Sequence, residues 1–226
     1  MLGRLRQLYK NRHQLLPLVR MAERYYEEAD VWVHAELDTH HARIGSRFEF
    51  WHYLRGKSQV EVASLEELLG WLLACSYADD MALFQERDFW QHPSTFEQLR
   101  RGDCEDHALW AWRKLGELGI PARFYTGRQH GEDGGTGFHA WVVLQLEGEE
   151  WLLEATSKDR DKMLLRLSEA RDRYAPHYSV GHMRDARIYG GFLQYRDQRK
   201  RRRRKQNGRP EVPPDRAAPP AGNTGV

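Results

Sequence analysis

One thiol, one imidazole and one carboxylate follow one another as Cys104, His139 and Glu154 in this 226-residue chain. They stand in the segments Arg101-Gly-Asp-Cys-Glu-Asp-His-Ala108, Gly137-Phe-His-Ala-Trp141 and Trp151-Leu-Leu-Glu-Ala-Thr156. Together the three types can carry out nucleophilic acyl transfer. A histidine takes the thiol proton, and a carboxylate fixes that histidine in the useful tautomer. A structural reading stands beside each residue: a buried free cysteine, a strand-end histidine, a solvated acid. Only the ordered combination lifts the set above those readings.

The elements that must position these groups are legible around them. Ala108, Leu109, Ala111, Trp112, Leu115 and Leu118 recur at helical spacing, so a helix is predicted from Cys104 to about Leu118. Asp103 suits the N-cap and Asp106 the third helical position, an acidic form of the capping box. Gly119 suits the left-handed stop, with Pro121 beyond it. Cys104 then occupies the first helical position, where unpaired N–H groups and the positive end of the macrodipole favour a thiolate. On that ground its pKa is expected to fall from about 8.5 into the range of roughly 3.5–7.5. The same N–H groups suit a developing oxyanion, and Gly102 allows the tight turn that precedes the helix. Residues 119–126 read as a turn followed by a strand. Phe138–Gln145 reads as a buried strand, and Trp151–Ala155 as its partner across a turn at 148–149. That register brings 139 near 157–158 and 154 near 142–143, on one rim of a sheet. Asp159 and Asp161 are fallback orienting acids. His107 and His130 are competing bases, the latter in a Gly-rich flap over 127–137.

These motifs resemble the transglutaminase-like superfamily, and within it the bacterial transglutaminase-like cysteine proteinases. The matching pieces are Trp90-Gln-His-Pro93, Gly102-Asp-Cys-Glu-Asp106, Leu118-Gly-Ile-Pro-Ala-Arg123, His139-Ala-Trp141 and Glu154-Ala-Thr156. The resemblance implies a papain-like α+β fold, with the thiol on a central helix packed on an antiparallel sheet and extra helices at the N-terminus. It makes Cys104 the nucleophile, His139 the base and Glu154 the orienting acid. It also implies a side-chain oxyanion donor upstream of the cysteine, for which Trp90 and Gln98 are candidates. The family usually shows Asp-Pro-Thr where this chain has Glu154-Ala-Thr156. A glutamate is one methylene longer, so its strand must sit further back to serve the same imidazole.

The rest of the chain bounds the reading. A 40% apolar and 12% aromatic composition can build one core. Residues 1–195 are expected to form it, with 1–60 as a helical and strand extension and 85–158 as the motif region. A helix over 4–30 with a break or kink at Pro17 is predicted, with a second after the capping box Ser64-Leu-Glu-Glu67. A short helix is expected at Ser94–Leu99, and strands at 43–54 and Met183–Tyr189. His34, His40, His41 and His52 lack the tight spacing of a metal site, so no metal or cofactor is expected. The two cysteines, Cys75 and Cys104, lie far apart and suggest a reducing cytoplasm rather than a disulfide. Mean hydropathy is −0.80. Residues 196–226 carry ten Lys/Arg against three Asp/Glu, a net +7, which against +2 overall leaves −5 for residues 1–195. The block Arg199–Lys205 suits nucleic acid or another anionic surface, and residues 196–226, basic and then Pro/Ala/Gly-rich, are expected to form a disordered tail. The functional expectation is a Cys-His-Glu acyl-transfer enzyme hydrolysing peptide or amide bonds in a peptide or protein substrate. The alternative is a catalytically inactive binding module working through its basic tail.

Overall fold

The segment after Cys104 carries apolar side chains on every side rather than in one stripe, and it is accordingly buried whole. In the computed structural model, which describes residues 12–28, 30–37, 49–131, 134–183 and 185–206, this segment is a helix of 14 residues. Every residue in it from Glu105 to Leu115 is buried. Its start is held by Asp106, whose Oδ2 accepts the Asp103 N–H at 3.3 Å. Its end is closed by Gly119 at φ +72°.

Numbered along the chain, the elements are α1 (Arg12–Glu28), β1 (His34–Leu37), α2 (Leu65–Leu73), β2 (Ser76–Tyr77), α3 (Asp80–Phe84), α4 (Pro93–Leu99), β3 (Arg101–Gly102), α5 (Cys104–Glu117), β4 (Ala122–His130), β5 (Thr136–Leu146) and β6 (Glu149–Leu153). They continue with α6 (Arg160–Met163), β7 (Leu164–Arg166), α7 (Leu167–Ala170), β8 (Tyr174–Gly181), β9 (Ala186–Tyr189) and α8 (Gly190–Gln206). Seven strands form one antiparallel sheet in the order β1-β9-β8-β4-β5-β6-β7. β2 and β3 form a separate parallel pair that sets Tyr77 beside Gly102.

Alternation along β5 divides the core. Ala140, Val142 and Leu144 join a cluster with Leu109, Trp112 and Leu115 of α5, against which Leu68, Leu72 and Phe96 of α2 and α4 also pack. Trp141 and Val143 face the other way, into a cluster with Tyr125, Tyr174, Tyr189 and Leu167. The α5 helix is therefore sandwiched between the sheet and two N-terminal helices. Fully burying each large apolar side chain contributes about 1.5–3 kcal/mol. A third cluster, around Met21, Val33, Ile188 and Leu193, seats α1 on β1 and β9.

Several expectations change. The β5–β6 turn falls on Glu147 and Gly148, at φ +52° and +84°, a two-residue hairpin turn of the primed kind. The register is Val142 with Leu153 and Leu144 with Trp151, not the one expected from a turn at 148–149. Phe50–His52 is a short 3-10 turn rather than part of a strand, and residues 43–48 lie outside the described residues. Helix α1 runs through Pro17 without a break, and residues 4–11 lie outside the described residues. The last strand begins at Ala186 rather than Met183. The chain divides into two units, Met1–Leu193 and Gln194–Val226. Within the second, the residues up to Gln206 are helical, where a disordered segment was expected. Seven consecutive basic residues keep good helix propensity. No helix among the described residues is long and apolar enough to cross a membrane.

Candidate active site

Cys104 is the first residue of α5, and the cleft at that end of the helix has a volume of about 560 Å³. Its walls include Tyr77, Trp90, Cys104, Phe138, His139 and Tyr178. Gly102 is required here. A Cβ on it would lie 2.7 Å from both Asp106 Cβ and Gln91 Nε2, within the contacts that pin the start of the helix.

His139 and Glu154 are joined. Nε2 of His139 lies 2.9 and 2.8 Å from the two carboxylate oxygens of Glu154, which fixes the ring and leaves Nδ1 for proton exchange. The register explains the pairing. Carrying the β5–β6 ladder one residue past Leu153 puts Glu154 opposite Trp141, diagonal to His139 and on the same face. The His139 and Trp141 rings lie near-parallel, with centroids 6.3 Å apart.

Glu154 is buried and accepts more than the imidazole. Tyr174 Oη donates at 3.0 Å, Thr156 Oγ1 at 2.7 Å and Gln129 Nε2 at 3.3 Å. Gln129 also donates to Tyr174 Oη at 3.0 Å. Burial alone would raise the Glu154 pKa. The bonds and charge from His139, with those from Thr156 and Tyr174, outweigh it and hold the carboxyl below its ordinary value. Tyr174 and Gln129 were not singled out by the sequence. Tyr174 comes from β8, distant in the chain, and Gln129 from β4, the strand just before β5, and no local motif marks either.

The thiol is differently placed. Sγ of Cys104 lies 3.1 Å from Glu105 Oε2, to which it donates, and the backbone N–H of Ala140 points at the sulfur. No hydrogen bond joins it to His139 among the described residues. Both side chains nevertheless line the same cleft. The expected depression of its pKa is not found either. Burial pushes it well above the ordinary thiol value, and the carboxylates of Glu105 and Asp103 push the same way. The helix start offers partial positive charge, but Asp103 and Glu105 on either side of the cysteine oppose it.

That acidic cluster is a second feature. Asp80, Asp103 and Asp106, and likewise Asp80, Asp88 and Glu105, bring oxygens within 4.8 Å of one another. Asp80 Oδ1 and Asp103 Oδ1 are buried without a hydrogen-bond partner. Burial raises the Asp106 pKa to about 8. Asp103 is also raised, by burial and by the charges of Asp80 and Asp88, and Glu105 by burial and by the charge of Asp103. No ligand spacing in the sequence marks these carboxylates, because the fold brings residues 80 and 88 to 103–106.

The remaining candidates separate. Trp90 lines the cleft and donates through Nε1 to Asp88 Oδ1 at 2.8 Å. Gln98 is exposed on α4 and is not one of the cleft-lining residues. His107 is fully buried against Phe96, its Nδ1 bound to Asp103 O at 2.8 Å, and burial lowers its pKa to about 4. His130 binds Thr136 Oγ1 at the exposed end of β4. Asp159 caps α6, accepting from the Asp161 N–H at 3.1 Å, and both acids face solvent. Cys75 and Cys104 are both free.

Residues 52–153 match the model of the transglutaminase-like superfamily, a span just under half the chain. Similar solved structures include Legionella pneumophila LapG. Its EGTA-treated form is 19% identical over 60% of this chain and 66% of that one, with a TM-score of 0.39. Its calcium-bound form is 22% identical over 59% and 72%, with a TM-score of 0.41. This chain thus spans just under two thirds of the EGTA-treated structure. A candidate cysteine protease from Cytophaga hutchinsonii is 14% identical over 62% and 56%, at 0.34. An arylamine N-acetyltransferase from Bacillus cereus, described as having a Cys-His-Glu triad, is 17% identical over 47% and 46%, at 0.33. A comparison with curated proteins finds no match. The motif resemblance is thus met by a family-level match over the region that holds Cys104 and His139, and the fold is α+β and transglutaminase-like.

Proposed function

We propose that this chain, with its transglutaminase-like core, is a cysteine-dependent acyl-transfer enzyme that hydrolyses peptide or amide bonds. The observation that carries the reading is the buried His139–Glu154 pair at 2.8 Å on the rim of the cleft that Cys104 lines. In the proposed cycle Sγ leaves Glu105 by side-chain rotation and passes its proton to Nδ1 of His139. It then attacks the carbonyl carbon. The indole N–H of Trp90 and the backbone N–H groups at the start of α5 receive the oxyanion. The C–N bond breaks, the proton moves from His139 to the leaving amine, and a thioester remains on Cys104. Water, deprotonated by His139, then releases the acid. Glu154 keeps the imidazole in one tautomer throughout.

The carboxylates around the thiol fit a hard divalent cation bound through oxygen. Asp80 with Asp103 and Asp106, or Asp80 with Asp88 and Glu105, would hold it, and the two orphaned carboxylate oxygens support the fit. The cation would neutralise the charge that holds the thiol protonated.

The reading is tested by incubating the native protein with p-nitrophenyl acetate, with and without calcium, and locating acetyl groups by peptide mass spectrometry. Cys104, which lines the cleft, should acetylate much faster than Cys75, which is buried and does not line it. His139→Ala should abolish the difference. Acetylation of Cys104 at the rate of Cys75 in both conditions would remove the enzyme reading and leave a binding module on this fold.

A further inference from the structure

The sequence Arg196-Asp-Gln-Arg-Lys-Arg-Arg-Arg-Arg-Lys-Gln206 has no apolar residue, and it forms the last eleven residues of helix α8. Arg199, Lys200, Arg201, Arg202 and Arg203 are all exposed. No ion pair to any of them is formed among the described residues. Beyond the packed first turn of α8, this stretch has no apolar side chain to bury. Like charges in neighbouring turns repel, so it is held by propensity alone and is costly to keep without a polyanion.

We infer that this stretch of α8 is a sequence-independent docking surface for duplex nucleic acid. Three features select that partner. First, an α-helix rises about 1.5 Å per residue. Five consecutive cations therefore present about one charge per 1.5 Å, close to the one phosphate per about 1.7 Å of duplex axis. Second, at 3.6 residues per turn five consecutive positions point to all sides of the helix. Cations all round suit a helix lying in a groove between two phosphate backbones. They do not suit a helix on a membrane, which needs an apolar face to enter the acyl boundary. Third, four of the five are arginines, whose planar forks bind phosphate oxygens in pairs. The stretch has no aromatic residue to stack on an unpaired base, which favours a duplex over a single strand. The inference is independent of the thiol chemistry.

The test is a titration of the full chain into a labelled DNA duplex at a series of salt concentrations. A second protein carries Arg199→Gln, Lys200→Gln, Arg201→Gln, Arg202→Gln and Arg203→Gln. Glutamine keeps helix propensity, and these exposed positions should leave the melting temperature unchanged. Five phosphate contacts give a log–log salt slope of about −4.5, a several-hundredfold loss of affinity for about a fourfold rise in salt. The fivefold variant should bind far more weakly, with its slope near zero. Equal affinity of the two proteins would overturn the inference. So would tighter binding of a single strand at equal charge. So would displacement of the duplex by phosphatidylserine vesicles at equal anionic charge, which would assign the stretch to a membrane surface.

Discussion

Glu154 is one methylene longer than an aspartate, and the site is built around that length. Its carboxylate sits behind His139 within a ring of donors from Tyr174, Thr156 and Gln129. The Tyr174 hydroxyl is therefore a positioning group acting through Glu154. Tyr174→Phe removes one donor from a buried carboxylate, at a cost of about 1 kcal/mol. The Glu154 pKa lies below its ordinary value, so the group stabilises the fold above the ordinary carboxylate pKa. That contribution is lost as pH falls through the depressed pKa. In Y174F the loss should begin at higher pH, and the acidic limb of kcat should move up with it while KM changes little. Identical pH profiles for the two proteins would show that the hydroxyl is only a packing group. Glu154→Gln is the stronger change and should lower kcat by roughly a hundredfold or more, as for loss of acid–base support. Unchanged turnover would require another acid. Asp159 and Asp161 are poorly placed for that, in solvent on α6. Of this site, Cys104, His139 and Glu154 were legible because each stands in a local motif. Tyr174 and Gln129 were not, because only the sheet order brings β8 beside β4 and no local motif marks Gln129.

Among the elements, the hairpin of β5 and β6 decides whether the imidazole and the acid meet. Strand faces alternate with a period of two, so a slip of one residue would put Glu154 on the face of Ala140 and Val142, against α5. The primed turn at Glu147 and Gly148 prevents that slip. Sequence alone supported the two strands and their turn but placed the turn one residue late, since Gly148 with either neighbour makes a plausible pair. Helix α5 was legible nearly to its ends, because its capping residues and its glycine stop are all local signals. Its electrostatics were not. Glu105 and Asp103 raise the thiol pKa, and Asp103 is raised in turn by Asp80 and Asp88, near in space but distant in the chain. A second constraint comes from β4. Gly127 pairs with His139, and the ladder to β8 shifts there between Thr126 and Gly127, a bulge of the sort that re-aims side chains beside a site. A Cβ on Gly127 would meet Ala175 O, would lie 2.8 Å from Pro176 Cα, and would lie 2.9 Å from Trp141 Cη2. Backbone cannot yield as a flexible side chain can. Gly127→Ala should cost about 1–3 kcal/mol of stability, as overpacking does, and should disturb the ring beside Trp141. Chemical denaturation with an unchanged midpoint would show that β8 can step back.

Across the whole molecule, the buried acids at the start of α5 set an unusual dependence of stability on pH. Asp106 has its pKa raised from 3.8 to about 8, and Asp80, Asp103 and Glu105 are raised as well. Over that interval the folded state holds protons that the unfolded chain has released, so stability must fall as pH rises. Buried histidines act in the opposite sense. His107 and His177 are lowered from 6.5 to about 4, so the folded state binds fewer protons there and stability rises with pH up to 6.5. The two effects oppose each other below pH 6.5. Between 6.5 and about 8 only the acids remain, and the melting temperature should fall with increasing pH. Asp106→Asn removes one of the responsible groups while keeping its shape and acceptor oxygen, and it should flatten the slope in that window. Millimolar calcium should do the same by a different route. A cation that binds only the folded carboxylates stabilises the fold by mass action and lowers their pKa values together. A melting temperature that is level from pH 6.5 to 8 without a cation would mean that these acids release their protons in the folded state as readily as in the unfolded chain. The cluster would then be ionised in the folded state, and without a cation its charge would oppose the Cys104 thiolate. A falling temperature restored by calcium would link the same five carboxylates to both the stability of the helix start and the reactivity of its thiol.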